Sequence, residues 1–305
     1  MKDEVCAIGY RRLPSPRTTQ WAGWPIARTA LVLAFRQRAA KLAAAVCGFV
    51  VFAHGITIVG QVLIGRASER ASVGDGFAGT MLQAAIGQVH ATLSTFLGVQ
   101  LHTTAILLAV VAGGLVAEDR RTRAFELYFS RPLTPLDYAL GKGLVAMALP
   151  AVTLLVPFFG LWLLAVGIAP DDLARELWQL LLPGLLGAAI CTVLLGTTIL
   201  GASTLGDRGR TVGVAYVLGL AALGGFADGM AQAGHEWAGY LGPLRDVQTV
   251  ADALLHGGSP GMLVATLQVR ESTNPSAWIS AAALAVLSVG ALVILTAGLR
   301  KQVRG

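Results

Sequence analysis

The chain has 305 residues, 55% of them hydrophobic and only 13% charged, with a mean hydropathy of +0.67. Soluble domains average about 25% charged residues, so an ordinary soluble globular protein is excluded. Its net charge of +6 comes without a clustered basic patch interleaved with aromatic residues, which argues against a nucleic-acid partner.

Residues 1–20 are polar and contain arginines, and the first apolar span begins only near Leu42. They predict a flexible tail rather than a cleaved leader. Trp21–Lys41 reads as a helix lying at the membrane interface, with Trp21 and Trp24 as headgroup anchors and Arg28, Arg36, Arg38 and Lys41 near phosphates. Arg28 and Arg38 fall close to the face of Trp24, Leu31 and Phe35, so they must snorkel.

Windows without Asp, Glu, Lys or Arg then recur at Leu42–Ile64, Gly76–Ala117, Gly143–Pro170, Leu177–Gly206 and Ser272–Leu299. A sixth, Thr211–Ala227, has 17 residues, the lower edge of what crosses a bilayer as a helix. The expected fold is an all-α integral membrane protein with six spans, at about 42–64, 91–117, 143–169, 177–205, 211–228 and 277–299, so residues 42–305 form one transmembrane domain. Span 2 carries Ala105, Ala109, Gly113 and Ala117 at four-residue spacing, a stripe over which another helix can approach closely. That stripe suits packing inside one bundle or a dimer seam. Pro150, Pro157 and Pro183 each remove a backbone donor and are expected to kink spans 3 and 4. Between spans 5 and 6, Leu244, Val247, Val250, Ala251, Leu254 and Leu255 follow helical spacing, which predicts a short amphipathic helix lying at or dipping into the outer leaflet.

Basic residues sort by side. With six spans, the N-terminal region, the 2–3 loop, the 4–5 loop and the C-terminus share one side and carry 18 of the 23 lysines and arginines. The positive-inside rule places that side, with both termini, in the cytoplasm of a cell whose plasma (inner) membrane holds the chain.

Chemistry-bearing motifs are missing. No phosphate loop is present, since Gly141-Lys142 is followed by Gly143 and Leu136 stands where the first glycine would be. Metal-ligand spacings and a G-x-S-x-G elbow are absent too. The acids sit in loops or at span ends, and His54 and His102 read as hydrogen-bonded packing or pore-lining residues rather than metal ligands. Cys6, Cys47 and Cys191 imply no disulfide framework.

The informative stretch is the 2–3 loop, Glu118–Lys142, which holds nine of the forty charged residues. Helical character is expected from Glu118 to about Phe129, with Phe125, Tyr128 and Phe129 on one face. Ser130-Arg131-Pro132 is a hard stop, and Thr134-Pro135-Leu136-Asp137 restarts a helix with threonine at N-cap, proline at N1 and a carboxylate at N3. A short helix, a stop and a rigid lever into a spanning helix can transmit a push.

"AEDRRTRAFELYFSRPLTPLDYALGK" resembles the segment between the second and third spans of ABC transporter permeases of the type 2 export class. The matching residues are Glu118, Thr122, Glu126, Leu127, Arg131-Pro132 and Gly141-Lys142, with Arg121 where a glycine is common. The resemblance extends to the layout of interfacial helix, six spans and outer helix. It implies that the loop forms a cytoplasmic coupling helix docking on a separate ABC ATPase subunit, which holds ATP and Mg, so this chain carries no cofactor and is no enzyme itself. It implies further a second permease chain, as homodimer or heterodimer. On that reading Arg121, Arg123, Phe125, Glu126, Tyr128, Phe129 and Arg131 make the ATPase contact, and Glu118 sits at the hinge with span 2. The rival readings are a non-transporting membrane scaffold or sensor on the same fold, and a membrane-embedded enzyme.

Overall fold

The computed structural model describes residues 23–70, 75–124, 134–255 and 276–304, and among these the chain is helical with no strand. Helix α1 is Gly23–Arg36, and a bend at Gln37 separates it from α2, Arg38–Arg70. Then come α3 (Asp75–Ala112), α4 (Ala117–Arg121) and α5 (Pro135–Pro150), which a π-turn at Ala151–Leu155 joins to α6 (Val156–Ile168). After α7 (Asp171–Trp178), α8 (Leu181–Ser203) and α9 (Gly209–Gln232), a 3-10 turn at Glu236–Leu241 leads to α10 (Pro243–Leu254), and α11 (Ala277–Arg304) closes the described chain.

Six helical stretches are long and apolar enough to cross a membrane: Arg38–Ala67, Gly87–Arg121, Leu136–Ile168, Leu173–Ser203, Gly209–Gln232 and Ala277–Gly298. The chain is a multi-pass membrane protein. Spans 2 and 4 are the central ones, with 67% and 56% of their most apolar windows buried, against 17–28% for the other four. Leu93, Phe96, Leu97, Leu101 and Leu108 of α3 and Leu194, Leu195 and Ile199 of α8 supply much of that core. The peripheral helices carry exposed Phe49, Phe52, Val156, Leu218 and Val286, the side chains a hydrocarbon solvent accepts without cost.

The proline kinks take specific forms. Pro150 and Pro157 flank the π-turn of span 3, a form of helix irregularity that often accompanies such breaks. Pro157 has no N–H to offer the Thr153 carbonyl four residues back, and Gln100 Nε2 of α3 donates to that carbonyl at 2.9 Å. Thr153 also meets Thr104 hydroxyl to hydroxyl at 3.0 Å. In span 4 the irregularity precedes Pro183: α7 ends at Trp178, and the Gln179 and Leu180 amides bond three residues back instead of four. Trp162, fully buried, donates its indole N–H to the Leu177 carbonyl at 2.7 Å and ties span 3 to this break.

The amphipathic helix expected between spans 5 and 6 is present as α10, with its apolar face packed into the bundle. Val247, Val250, Ala251 and Leu255 are buried against α3, α8 and α11. Asp246 accepts a hydrogen bond from Ser280 of α11 at 2.7 Å, and Asp252 accepts one from Ser94 of α3. Carboxylates so placed hold α10 in the bundle, because leaving either without its donor in apolar surroundings is costly.

Candidate functional site: the stems of the loop between spans 2 and 3

Residues 125–133, and with them Phe125, Glu126, Tyr128, Phe129 and Arg131, lie outside the described residues. The two stems that carry this segment are described in full, and they are fastened by charged side chains.

The first stem starts at a break in span 2. At Gly113-Gly114 the α3 ladder slips: the Gly113 amide bonds to the Leu108 carbonyl and the Leu115 amide to that of Ala112. The displaced Val116 amide donates to the Ser203 hydroxyl at the end of α8, at 3.2 Å. Four residues of the small stripe face inward here. Ala105, Ala109 and Ala117 are buried, and a Cβ on Gly113 would stand 2.9 Å from the Gly209 carbonyl and 3.0 Å from the Gly213 amide. The stripe is therefore the seat of α9 of the same chain, near enough for backbone-to-backbone contact.

Three consecutive charges of α4 then reach three different elements. Glu118 accepts from the backbone N–H of Gly209, the first residue of α9, at 3.4 Å, and pairs with Arg121 at 2.8 Å. A carboxylate at a helix N-terminus meets the positive end of the helix dipole. Asp119 turns toward span 3: its Oδ2 accepts from the Tyr138 hydroxyl at 2.8 Å and from Lys142 Nζ at 2.8 Å. This pair is nearly dry, with side-chain exposures of 15% for Asp119 and 7% for Lys142. Arg120 donates to the Thr204 carbonyl and pairs with Asp207 at 3.3 Å, both in the turn between α8 and α9.

The helix expected to run from Glu118 to Phe129 is interrupted. Helix α4 ends at Arg121, the Thr122 hydroxyl donates back to the Glu118 carbonyl at 2.8 Å, and Arg123 adopts φ +54°. Left-handed residues of this kind terminate helices, and Ala124 is helical again beyond it. Arg121 and Arg123 are exposed on the outside of this corner.

The second stem begins as the sequence predicts. Thr134 caps α5, accepting from the Asp137 amide at 3.1 Å while the Asp137 carboxylate accepts from the Thr134 amide at 3.2 Å, with Pro135 in the first turn. Tyr138 and Lys142, one helical turn apart on α5, both face Asp119. Gly141 meets α1 instead: a Cβ there would lie 2.9 Å from the Gly23 carbonyl, so α1 rests directly on the backbone of this stem.

The chain matches no protein-family model and no curated protein. Its site is defined by its own geometry. Sequence reasoning placed Glu118 at the hinge and singled out the Gly141-Lys142 pair, but missed Asp119, Arg120 and Tyr138 as partners. The Tyr138/Lys142 spacing was a usable signal, since it puts an aromatic hydroxyl and a cation on one helix face. Their carboxylate lies across an irregular loop, where no periodicity reveals a partner.

The histidines are engaged locally: His54 and His102 each bond the carbonyl four residues back, at 2.8 Å, and His54 stacks edge-on against Phe96.

Proposed function

We propose that this chain is the membrane-spanning permease subunit of an ATP-driven exporter of the ABC type 2 class. The loop between spans 2 and 3 is its coupling element, and hydrolysis takes place on a separate ATPase subunit bound to it. One observation supports this reading above the rest. Both stems of the loop are clamped together through Asp119, Lys142 and Tyr138. The same stems are tied to the start of α9 by Glu118, to the α8–α9 turn by Arg120 and to α1 by Gly141. A topology signal needs basic residues only. It does not need each stem fixed to a different spanning element.

In this mechanism the ATPase contacts Phe125, Glu126, Tyr128, Phe129 and Arg131 and displaces the stems on either side of them. The two stems move together, because the nearly dry ion pair holds α4 and α5 as one piece. The push passes into span 3 as a lever, into span 5 through its N-terminus, and into the interfacial helix. Arg121 and Arg123 at the exposed corner extend the ATPase contact. A second permease chain completes the assembly, and the loop end of the bundle is cytoplasmic.

The test is gentle solubilisation of the full chain from membranes and identification of what co-purifies. A stoichiometric ATPase is expected, lost with Phe125→Asp and uncoupled with Glu126→Lys, while both variants insert normally. A chain that purifies alone in several detergents, or normal transport by both variants, overturns the proposal in favour of a scaffold.

A further inference from the structure

Beside the bend at Gln37 an apolar cleft of about 310 Å³ opens between α1, α2, α3 and span 3. Its walls include Leu31 and Phe35 of α1, Cys47 and Val51 of α2, and Leu149 and Val152 of span 3. From the charge, length and chemistry of this cleft we infer that it is a binding site for one anionic phospholipid, with an acyl chain in the cleft and the phosphate at Arg36, Arg38 and Lys41.

Reach is the first argument. Helix α2 starts at Arg38, and the cleft residues Ala44 and Val51 lie about 9 and 20 Å further along it at 1.5 Å per residue. One leaflet of a hydrocarbon core is about 15 Å thick, half of about 30 Å. For a lipid whose phosphate sits at Arg38, the α2 wall of the cleft thus lies at the depth of that lipid's acyl chains.

Chemistry is the second. The polar side chains that reach the wall are already engaged, Gln100 with the Thr153 carbonyl and Thr153 with Thr104. Apart from these groups and the Cys47 thiol the walls offer hydrocarbon contact, so a polar solute would leave most of its groups unmet, at a cost.

Charge is the third. Arg36, Arg38 and Lys41 are all exposed at the bend above the cleft, and no aspartate or glutamate occurs from residue 5 to residue 68. Basic residues at this depth favour anionic over zwitterionic headgroups. The site is independent of ATPase docking, since it involves neither stem of the 2–3 loop.

Gly48 supplies the test. It lines the cleft, and a Cβ added there meets nothing within 4 Å, so a side chain can enter the cleft from this position and Gly48→Phe is the variant that occupies it. Purified full-length protein is titrated with phosphatidylglycerol or phosphatidylcholine and read by native mass spectrometry. The wild type is expected to retain one phosphatidylglycerol per chain in preference to phosphatidylcholine, and Gly48→Phe to lose that preference. Arg38→Gln with Lys41→Gln is expected to weaken it roughly fivefold for each charge removed at low salt. As a check needing no variant, phosphatidylglycerol with a photoreactive acyl chain should cross-link the wild type at residues 44–51 and 148–153. Unchanged lipid preference in both variants overturns the inference. So do cross-links spread evenly over α9 and α11, or a Gly48→Phe protein that loses a partner copy while keeping its lipid.

Discussion

Asp119 and Lys142 show what a single pair can decide. Two charges that are almost fully dry attract strongly, but each has lost its hydration, so the pair is worth little net while the loss of one member is costly. Lys142→Met is therefore expected to destabilise the protein by about 3 kcal/mol, toward the lower end of the range for such pairs because Tyr138 still donates to the carboxylate. Asp119→Asn combined with Lys142→Met should recover most of that loss. Thermal melts of the purified variants test both statements, and a Lys142→Met melt equal to wild type would refute the clamp. Tyr138→Phe should cost about 1 kcal/mol, the value of one hydrogen bond. The exposed Glu118–Arg121 pair, with side chains 45% and 59% exposed, is the opposite case. Solvent screens it, and Glu118 matters for the α9 terminus it meets rather than for its arginine.

Among the elements, the α3–α9 contact sets how the loop stem meets span 5. A Cβ on Gly213 would lie 2.2 Å from the Ala109 carbonyl, and one on Gly209 2.5 Å from the Gly114 Cα. These are backbone atoms, which no rotamer change moves aside. Gly213→Ala is expected to push α9 off α3 and cost about 1–3 kcal/mol, the usual range for overpacking. Gly219 and Gly224 on the same helix have nothing within 4 Å of an added Cβ. Their replacement by alanine should be neutral or stabilising by up to about 1 kcal/mol, since alanine is the better helix former. If melts of Gly213→Ala and Gly219→Ala shift alike, the close contact does not hold the two spans. Span 3 is handled differently: its π-turn survives because Gln100, on a neighbouring helix, takes the carbonyl that Pro157 leaves without a donor.

For the molecule as a whole, the end opposite the loop is closed by α10, which lies among spans 2, 4 and 6. Its Asp246 is buried, and desolvation pushes the carboxyl up from 3.8 to about 6 against the opposing pull of Ser280 and Arg245. Asp252 is raised for the same reason, with Ser94 opposing. A carboxyl whose pKa is higher in the folded than in the unfolded chain binds its proton more tightly when folded. Its contribution is thus fully present below pH 3.8 and is lost as pH rises through about 6. Melting temperature should accordingly decline across that window from this group, and Asp246→Asn should flatten the decline. A variant whose pH profile overlays wild type would show that Asp246 is not the titrating group. Arg245 also pairs with Asp228 at the end of α9, at 2.9 Å, which adds span 5 to the same closure.

What the sequence by itself determined is what depends on local composition and period. Six charge-free windows of spanning length point to six helices, because in hydrocarbon only a helix lets a single segment bond its own backbone. Thr134-Pro135-Leu136-Asp137 specified the start of α5 to the residue, because a capping box acts within one turn. The end of α4 was not legible in the same way. Helical spacing carried the expectation on to Phe129; the Thr122 hydroxyl and the left-handed Arg123 interrupt the helix at 122–123, and residues 125–129 lie outside the described residues. The four-residue stripe in span 2 announced a close neighbour without saying which. Only the tertiary structure decided that α9 sits on it, that Asp119 meets Lys142, and that α10 packs against spans 2, 4 and 6. Each of these joins residues far apart in the chain. Partner choice there depends on which surfaces fit and which charges lose water together, and neither quantity exists until the helices are packed.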